Sequence, residues 1–188
     1  KEPLATSKST PSPSIVNKPE IDFTQWGDVS HKPLSKIKRI TGQRLQESWQ
    51  TIPHVTQFDK ADVTKLEQLR ISLKKLNKDK KLKVSILPFI MKAVIKALKE
   101  FPHFNSSLDE NSKNLVLKKY YHIGIAVDTE DGLIVPVMRD VDKKNIKAIS
   151  SELLELSNKA RNKKLLPNDL VGGTFTISSL GGIGGTFF

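Results

Sequence analysis

The sequence predicts a layered α/β sandwich, and three features of the 188-residue chain lead there. Apolar residues recur at helical spacing in several separate stretches. Short β-rich runs alternate with them, and Asp131-Gly132 stands between two such runs as a hairpin turn. Helices mixed with largely hairpin-connected strands, without an internal repeat, suit a sheet covered by helices at ordinary domain size.

From Lys1 to Asp22 the chain is Ser, Thr, Pro, Lys and Glu with isolated apolar residues. No face there could offset the entropy of ordering, so residues 1–22 read as an extended linker and residues 23–188 as the folded domain. Order is expected to begin near Phe23 to Val29. Leu34 to Gln50 reads as a helix with Leu34, Ile37, Thr41 and Leu45 on one side, closed by Pro53. His54 to Val63 alternates as a strand would, and Asp62-Val63-Thr64 offers caps for a second helix through Leu76. Lys78 to Lys83 is a solvated turn. Ile86 to Phe101 is apolar on most sides, which predicts a buried central helix. Phe104 to Leu108, Leu115 to Lys119, Tyr120 to Asp128 and Leu133 to Met138 read as strands. Ile146 to Ala160 repeats Ile149, Leu153, Leu156 and Ala160 at helical spacing, and β character returns at Thr174 to Ser178.

Composition removes several function classes. The chain contains no cysteine, so a disulfide scaffold, a thiolate metal site and a cysteine nucleophile are excluded. Acid–base or covalent chemistry has to use oxygen and nitrogen groups. No run approaches the roughly 18 to 20 apolar residues of a membrane span, and the cytosol is the expected compartment. The net charge of +11 raises nucleic acid, anionic membrane or an acidic ligand as partners. The lysines of residues 74–83 and 159–164 lack interleaved aromatics, which disfavours nucleic acid and suits solvated helix faces, a few of them free for a phosphorylated anion.

Of the four histidines, His31, His54, His103 and His122, none has metal-site spacing, and no metal site is expected. His54 and His122 read as hydrogen-bonded structural residues. The glycine-rich end, residues 181–188, carries no phosphate-loop pattern. It follows Thr174-Phe175-Thr176-Ile177, which delivers Ser178 and Ser179 to a glycine loop where a hydroxyl and backbone N–H groups can approach a reacting carbonyl.

Five blocks then stand in a recognisable order: "LSKIKRITGQRLQESWQTIPHVTQFDKADVTKLEQLR", "KVSILPFIMKA", "FPHFNSSLD", "HIGIAVDTEDGLIVPVMRDVD" and "GGTFTISSLGGIGGT". Together they resemble the catalytic domain of the dihydrolipoamide acyltransferase components of 2-oxo acid dehydrogenase complexes, over Leu34 to Phe188. "IPHVTQFDKADVT" is similar to the bacterial pyruvate type, with succinyl or branched-chain acyltransferases as alternatives. The resemblance implies a chloramphenicol-acetyltransferase-like two-layer sandwich of mixed sheet and helices. It also implies a homotrimer built into a cubic or dodecahedral core, working with pyruvate dehydrogenase and dihydrolipoamide dehydrogenase subunits in the bacterial cytoplasm. The implied reaction moves an acetyl group to coenzyme A from lipoamide carried on a lipoyl domain that this chain does not contain.

By the same resemblance, Ser178 stabilises the tetrahedral oxyanion and Arg39 pairs with an active-site aspartate. Coenzyme A contacts are implied at Arg70, Ser85, Asp128, Ser178, Ser179 and Gly182. The family's general base is the histidine of a D-H-R-x-x-D-G motif, a string absent from these residues. A thiol with a pKa near 8 to 9 needs such a base at neutral pH. The 188 residues alone are therefore expected to be inactive, with the motif lying beyond Phe188, and a non-catalytic coenzyme-A-binding scaffold is the rival expectation.

Overall fold

The computed structural model describes residues 21–76, 84–179 and 184. By internal contacts the chain divides into Lys1–Leu34 and Ser35–Phe188. In the first unit a 3-10 turn spans Phe23–Trp26, capped by Asp22, whose Oδ1 accepts the Thr24 amide at 3.0 Å and the Thr24 hydroxyl at 2.6 Å. These bonds favour the ionised carboxyl and hold Asp22 below the usual carboxylate range.

In the second unit, Ser35 caps helix α1 (Lys36–Thr51), accepting the Lys38 amide at 3.3 Å. The helix stops one residue short of Ile52-Pro53, because the proline disfavours helical backbone before it. The strand expected at His54 to Val63 does not form. Alternation makes a strand only where a ladder partner exists, and residues 53–63 join no ladder among the described residues, with Val55 89% exposed. Helix α2 (Thr64–Leu76) starts where the capping residues indicate, with Asp62 Oδ1 accepting the Thr64 amide at 2.9 Å. The lysine-rich turn at 78–83 lies outside the described residues.

Helix α3 (Leu87–Glu100), expected as a buried helix apolar on most sides, is buried along one face. Only Pro88, Met91, Ile95 and Leu98 are buried, while Ile90, Ala93 and Ala97 face outward. The sheet covers one side, and no described residue buries the other. After α3, Phe104 sits not in a strand but in a 3-10 turn, Pro102–Asn105. Asn105, fully buried, fixes that turn by donating through Nδ2 to the carbonyls of Lys118 at 2.8 Å and Tyr120 at 3.0 Å.

Strands β1 (Ser106–Leu108) and β2 (Leu115–Leu117) make an antiparallel hairpin. The run Tyr120 to Asp128 breaks at Ala126 into β3 (Ile123–Ile125) and β4 (Val127–Thr129). The run Leu133 to Met138 likewise breaks into β5 (Gly132–Ile134) and β6 (Val137–Met138) around Pro136, which has no amide proton to give a ladder. Its carbonyl still accepts the Ile125 amide at 2.9 Å, which ties the two ladders together. Gly132 opens β5 at φ +131°, so the turn is Glu130-Asp131. Helix α4 (Ile146–Arg161) is capped by Asn145, and β7 (Phe175–Ile177) ends the described ladder strands.

The central ladder runs β6-β3-β7, with β6 antiparallel and β7 parallel to β3. The core is made by α3 (Met91, Ile95, Leu98), β3 (Ile123, Ile125), Met138, Val141 and α4 (Ile149, Leu156). Lys92 holds the turn between sheet and α4 by donating from Nζ to the carbonyls of Asp142 at 3.1 Å and Lys144 at 2.9 Å. Helices α1 and α2 bury no residue, and Ile40, Leu45, Trp49, Leu69, Ile71 and Leu76 are exposed.

Candidate active site

The parallel pairing of β3 with β7 decides where Ser178 stands. Ile125 lies opposite Ile177, and the Ala126 amide donates to the Ile177 carbonyl at 3.0 Å. At the other end the Thr174 amide donates to the His122 carbonyl at 2.8 Å, so β7 is held at both ends. Ser178 therefore leaves the sheet beside the β3–β4 junction, with its side chain exposed.

Close packing sets this register. A Cβ on Gly124 would come within 2.8 Å of Val135 Cγ1 and 3.0 Å of Thr176 Oγ1. Gly124→Ala is expected to push β7 outward, costing about 1–3 kcal/mol in urea unfolding and lowering turnover through the displaced Ser178. Unchanged stability would show that Gly124 is not confined.

Beside this junction lies a cavity of about 480 Å³. Its walls come from Ser85 and Leu87 at the start of α3, from Ile125 to Asp128 on β3–β4, from α4 and from Ser179. The structure thus brings Ser85, Asp128 and Ser179 together, although they are far apart in sequence. The lining is apolar along Leu87, Val127 and Leu153 with hydroxyls and the Asp128 carboxylate at intervals, a surface suited to an elongated amphipathic ligand.

Two residues implied by the resemblance stand outside that lining. The Arg70 guanidinium donates from Nε to Glu67 at 2.8 Å and from Nη1 to the Val84 carbonyl at 3.1 Å. The pair holds Glu67 below its ordinary carboxylate range and braces the backbone next to Ser85. Arg39 is exposed on α1, and no carboxylate among the described residues comes within ion-pair distance of it. Gly182 lies outside the described residues.

A family model described as "2-oxoacid dehydrogenases acyltransferase (catalytic domain)" matches residues 27–188. The chain belongs to this family. It is 53% identical over 170 residues to the dihydrolipoyllysine-residue acetyltransferase component of the pyruvate dehydrogenase complex of Cupriavidus necator, covering 90% of this chain and 30% of that protein. The counterpart from Pseudomonas aeruginosa is 45% identical over 193 residues, 100% of this chain and 35% of that protein. The chain spans about a third of the length of these curated relatives. Among solved structures, the Azotobacter vinelandii dihydrolipoamide acetyltransferase, studied for the roles of a serine, a histidine and an asparagine in its mechanism, superposes with TM-score 0.88 at 46% identity, covering 92% of this chain and 71% of that one. The cubic core of a pyruvate dehydrogenase multienzyme complex superposes with TM-score 0.87, also at 46% identity and the same coverage.

The acyltransferase family match and these superpositions bear out the chloramphenicol-acetyltransferase-like α/β sandwich. Within this family member, His122 is a structural residue as expected: its Nδ1 accepts the Asp140 amide at 3.0 Å, which leaves the ring proton on Nε2. His54 lies in an irregular segment rather than a strand, stacked on Trp49 with centroids 5.0 Å apart, and its Nδ1 donates to the Ile52 carbonyl. No group of three or more metal-ligating side chains occurs among the described residues. The α4 wall of the cavity, with Ser150, Leu153, Ser157 and Arg161, belongs to none of the sequence motifs. Its signals in the sequence are the helical spacing of Leu153 and the basic run of residues 159–164, which contains Arg161.

Proposed function

We propose that the protein transfers an acetyl group from S-acetyldihydrolipoamide to coenzyme A, as the core acyltransferase of a pyruvate dehydrogenase complex. The observation that carries the reading is the cavity that unites Ser85, Asp128 and Ser179 beside the exposed Ser178. The pantetheine arm of coenzyme A would occupy the apolar wall, with its thiol toward Ser178. The thiolate attacks the thioester carbonyl, negative charge develops on the oxygen, and the Ser178 hydroxyl donates a hydrogen bond to it. Collapse of the tetrahedral intermediate breaks the bond to the dihydrolipoamide sulfur, which takes up the proton removed from coenzyme A. None of the four histidines of these residues stands in the D-H-R-x-x-D-G string that holds the family's base. The donor is lipoamide on a lipoyl domain, and the 188 residues on their own would not turn over.

Assembly follows the same reading: a homotrimer placed in a cubic or dodecahedral core, with pyruvate dehydrogenase and dihydrolipoamide dehydrogenase as partners, in the bacterial cytoplasm. The exposed apolar side chains of α1 and α2, among them Trp49 at 75% exposure, support burial against further copies. The partner of Arg39 would be an aspartate outside the described residues, and Gly182 would line the coenzyme A path.

Asp128 supplies the test. In the full-length protein, Asp128→Ala is expected to raise the KM for coenzyme A about tenfold, since a lost hydrogen bond to a charged group is worth roughly 1.5–3 kcal/mol. Arg70→Ala should weaken binding as well, by releasing Val84 next to Ser85. Unchanged KM in both variants, with acetyl transfer intact, would place coenzyme A elsewhere.

A further inference from the structure

We infer that Arg161 is the residue that binds a phosphate of coenzyme A, an inference that rests on the reading of the cavity as the coenzyme A site. Arg161 ends α4 and lines the cavity together with Ser85, Asp128 and Ser179. Its side chain is exposed, and no hydrogen bond or ion pair engages its guanidinium among the described residues.

Two of the cations near it are spent. Lys159 pairs with Glu155 at 2.6 Å, and Lys163 pairs with Asp131 at 2.6 Å. The Lys163–Asp131 pair also ties the chain just after α4 to the β4–β5 turn. Arg161 is thus an unspent guanidinium on a positioned helix end, and Asp128, although it lines the same cavity, forms no ion pair with it.

The geometry of α4 gives the charge its meaning. The cavity follows the helix from Ser150 to Arg161, eleven residues, which at 1.5 Å per residue is about 16 Å. That is long enough for an extended amphipathic arm lying over Leu153, with Ser157 within reach of amide groups. A ligand with such an arm and a phosphorylated end matches the lining with its charge at Arg161. A guanidinium suits that end because its forked donors meet phosphate oxygens in pairs.

Calorimetry on the full-length protein with coenzyme A, 3′-dephospho-coenzyme A and pantetheine tests this. Arg161→Gln should raise the Kd for coenzyme A about tenfold and flatten its salt dependence, while pantetheine binding stays within about twofold. Arg161→Lys, which keeps charge but not the fork, should fall between. A loss confined to coenzyme A assigns the 3′-phosphate to Arg161, and a loss shared with the dephospho form assigns the pyrophosphate. Either result supports the inference. An equal loss for pantetheine would mean that Arg161 merely packs, and an unchanged Kd for coenzyme A would mean that it does nothing there; both overturn the inference and leave the acetyltransferase reading standing. Failure of the unsubstituted protein to bind any of the three ligands would remove both.

Discussion

Ser178→Ala in the full-length protein is expected to lower kcat about 10²-fold to 10³-fold while the KM for coenzyme A moves little. The reason lies in when the hydrogen bond is made. A hydroxyl aimed at the thioester oxygen gains strength only as charge develops there, so its loss falls on the transition state and not on bound substrate. Ser178 stands immediately beyond β7, held by the Ala126 amide on the Ile177 carbonyl, and its side chain is exposed. Ser179 lines the cavity, so Ser179→Ala should act mainly on binding and more mildly. If Ser178 served only the backbone of its loop, the substitution would lower the melting temperature and disturb KM and kcat together. Steady-state kinetics with a melting curve on both variants separates the two, and near-normal kcat in Ser178→Ala would end the oxyanion role.

Met91→Ala should destabilise the fold more than any of the other substitutions, by about 2–5 kcal/mol in urea unfolding. Met91 is fully buried on α3 in the cluster that includes Ile123 of β3 and Met138 of β6. Its removal leaves a cavity under the central strand, and closely packed neighbours refill such a space only in part. Ile90, the residue before it, is 39% exposed, and Ile90→Ala should change the stability of the isolated subunit by no more than about 0.5 kcal/mol. A loss below about 1 kcal/mol for Met91→Ala would contradict the packing of α3 against the central strand. A clear loss for Ile90→Ala, dependent on protein concentration, would show that the outer face of α3 is buried between copies.

What could be read from the sequence was whatever local chemistry decides. Asp62 and Thr64 start α2 because a short carboxylate satisfies the first free amide of a helix wherever the chain goes. The periodicity of α4 and the serines delivered by β7 follow from spacing in the same way, whereas the turn expected at Asp131-Gly132 falls one residue earlier, at Glu130-Asp131. Five motif blocks in order were enough to indicate the acyltransferase family, because specificity accumulates over independent matches. Tertiary structure decided what needs a partner. His54 to Val63 alternates as a strand does but has no ladder partner among the described residues, and α3 is apolar on most sides but has a sheet on one side only. The cavity is the sharpest case. Ser85, Asp128, Arg161 and Ser179 are spread over nearly a hundred residues, and only the packing of α4 against β4 and the parallel pairing of β3 with β7 bring them to one surface. Hydrogen-bond registers and side-chain packing at long range select that arrangement, and neither leaves a trace in local spacing.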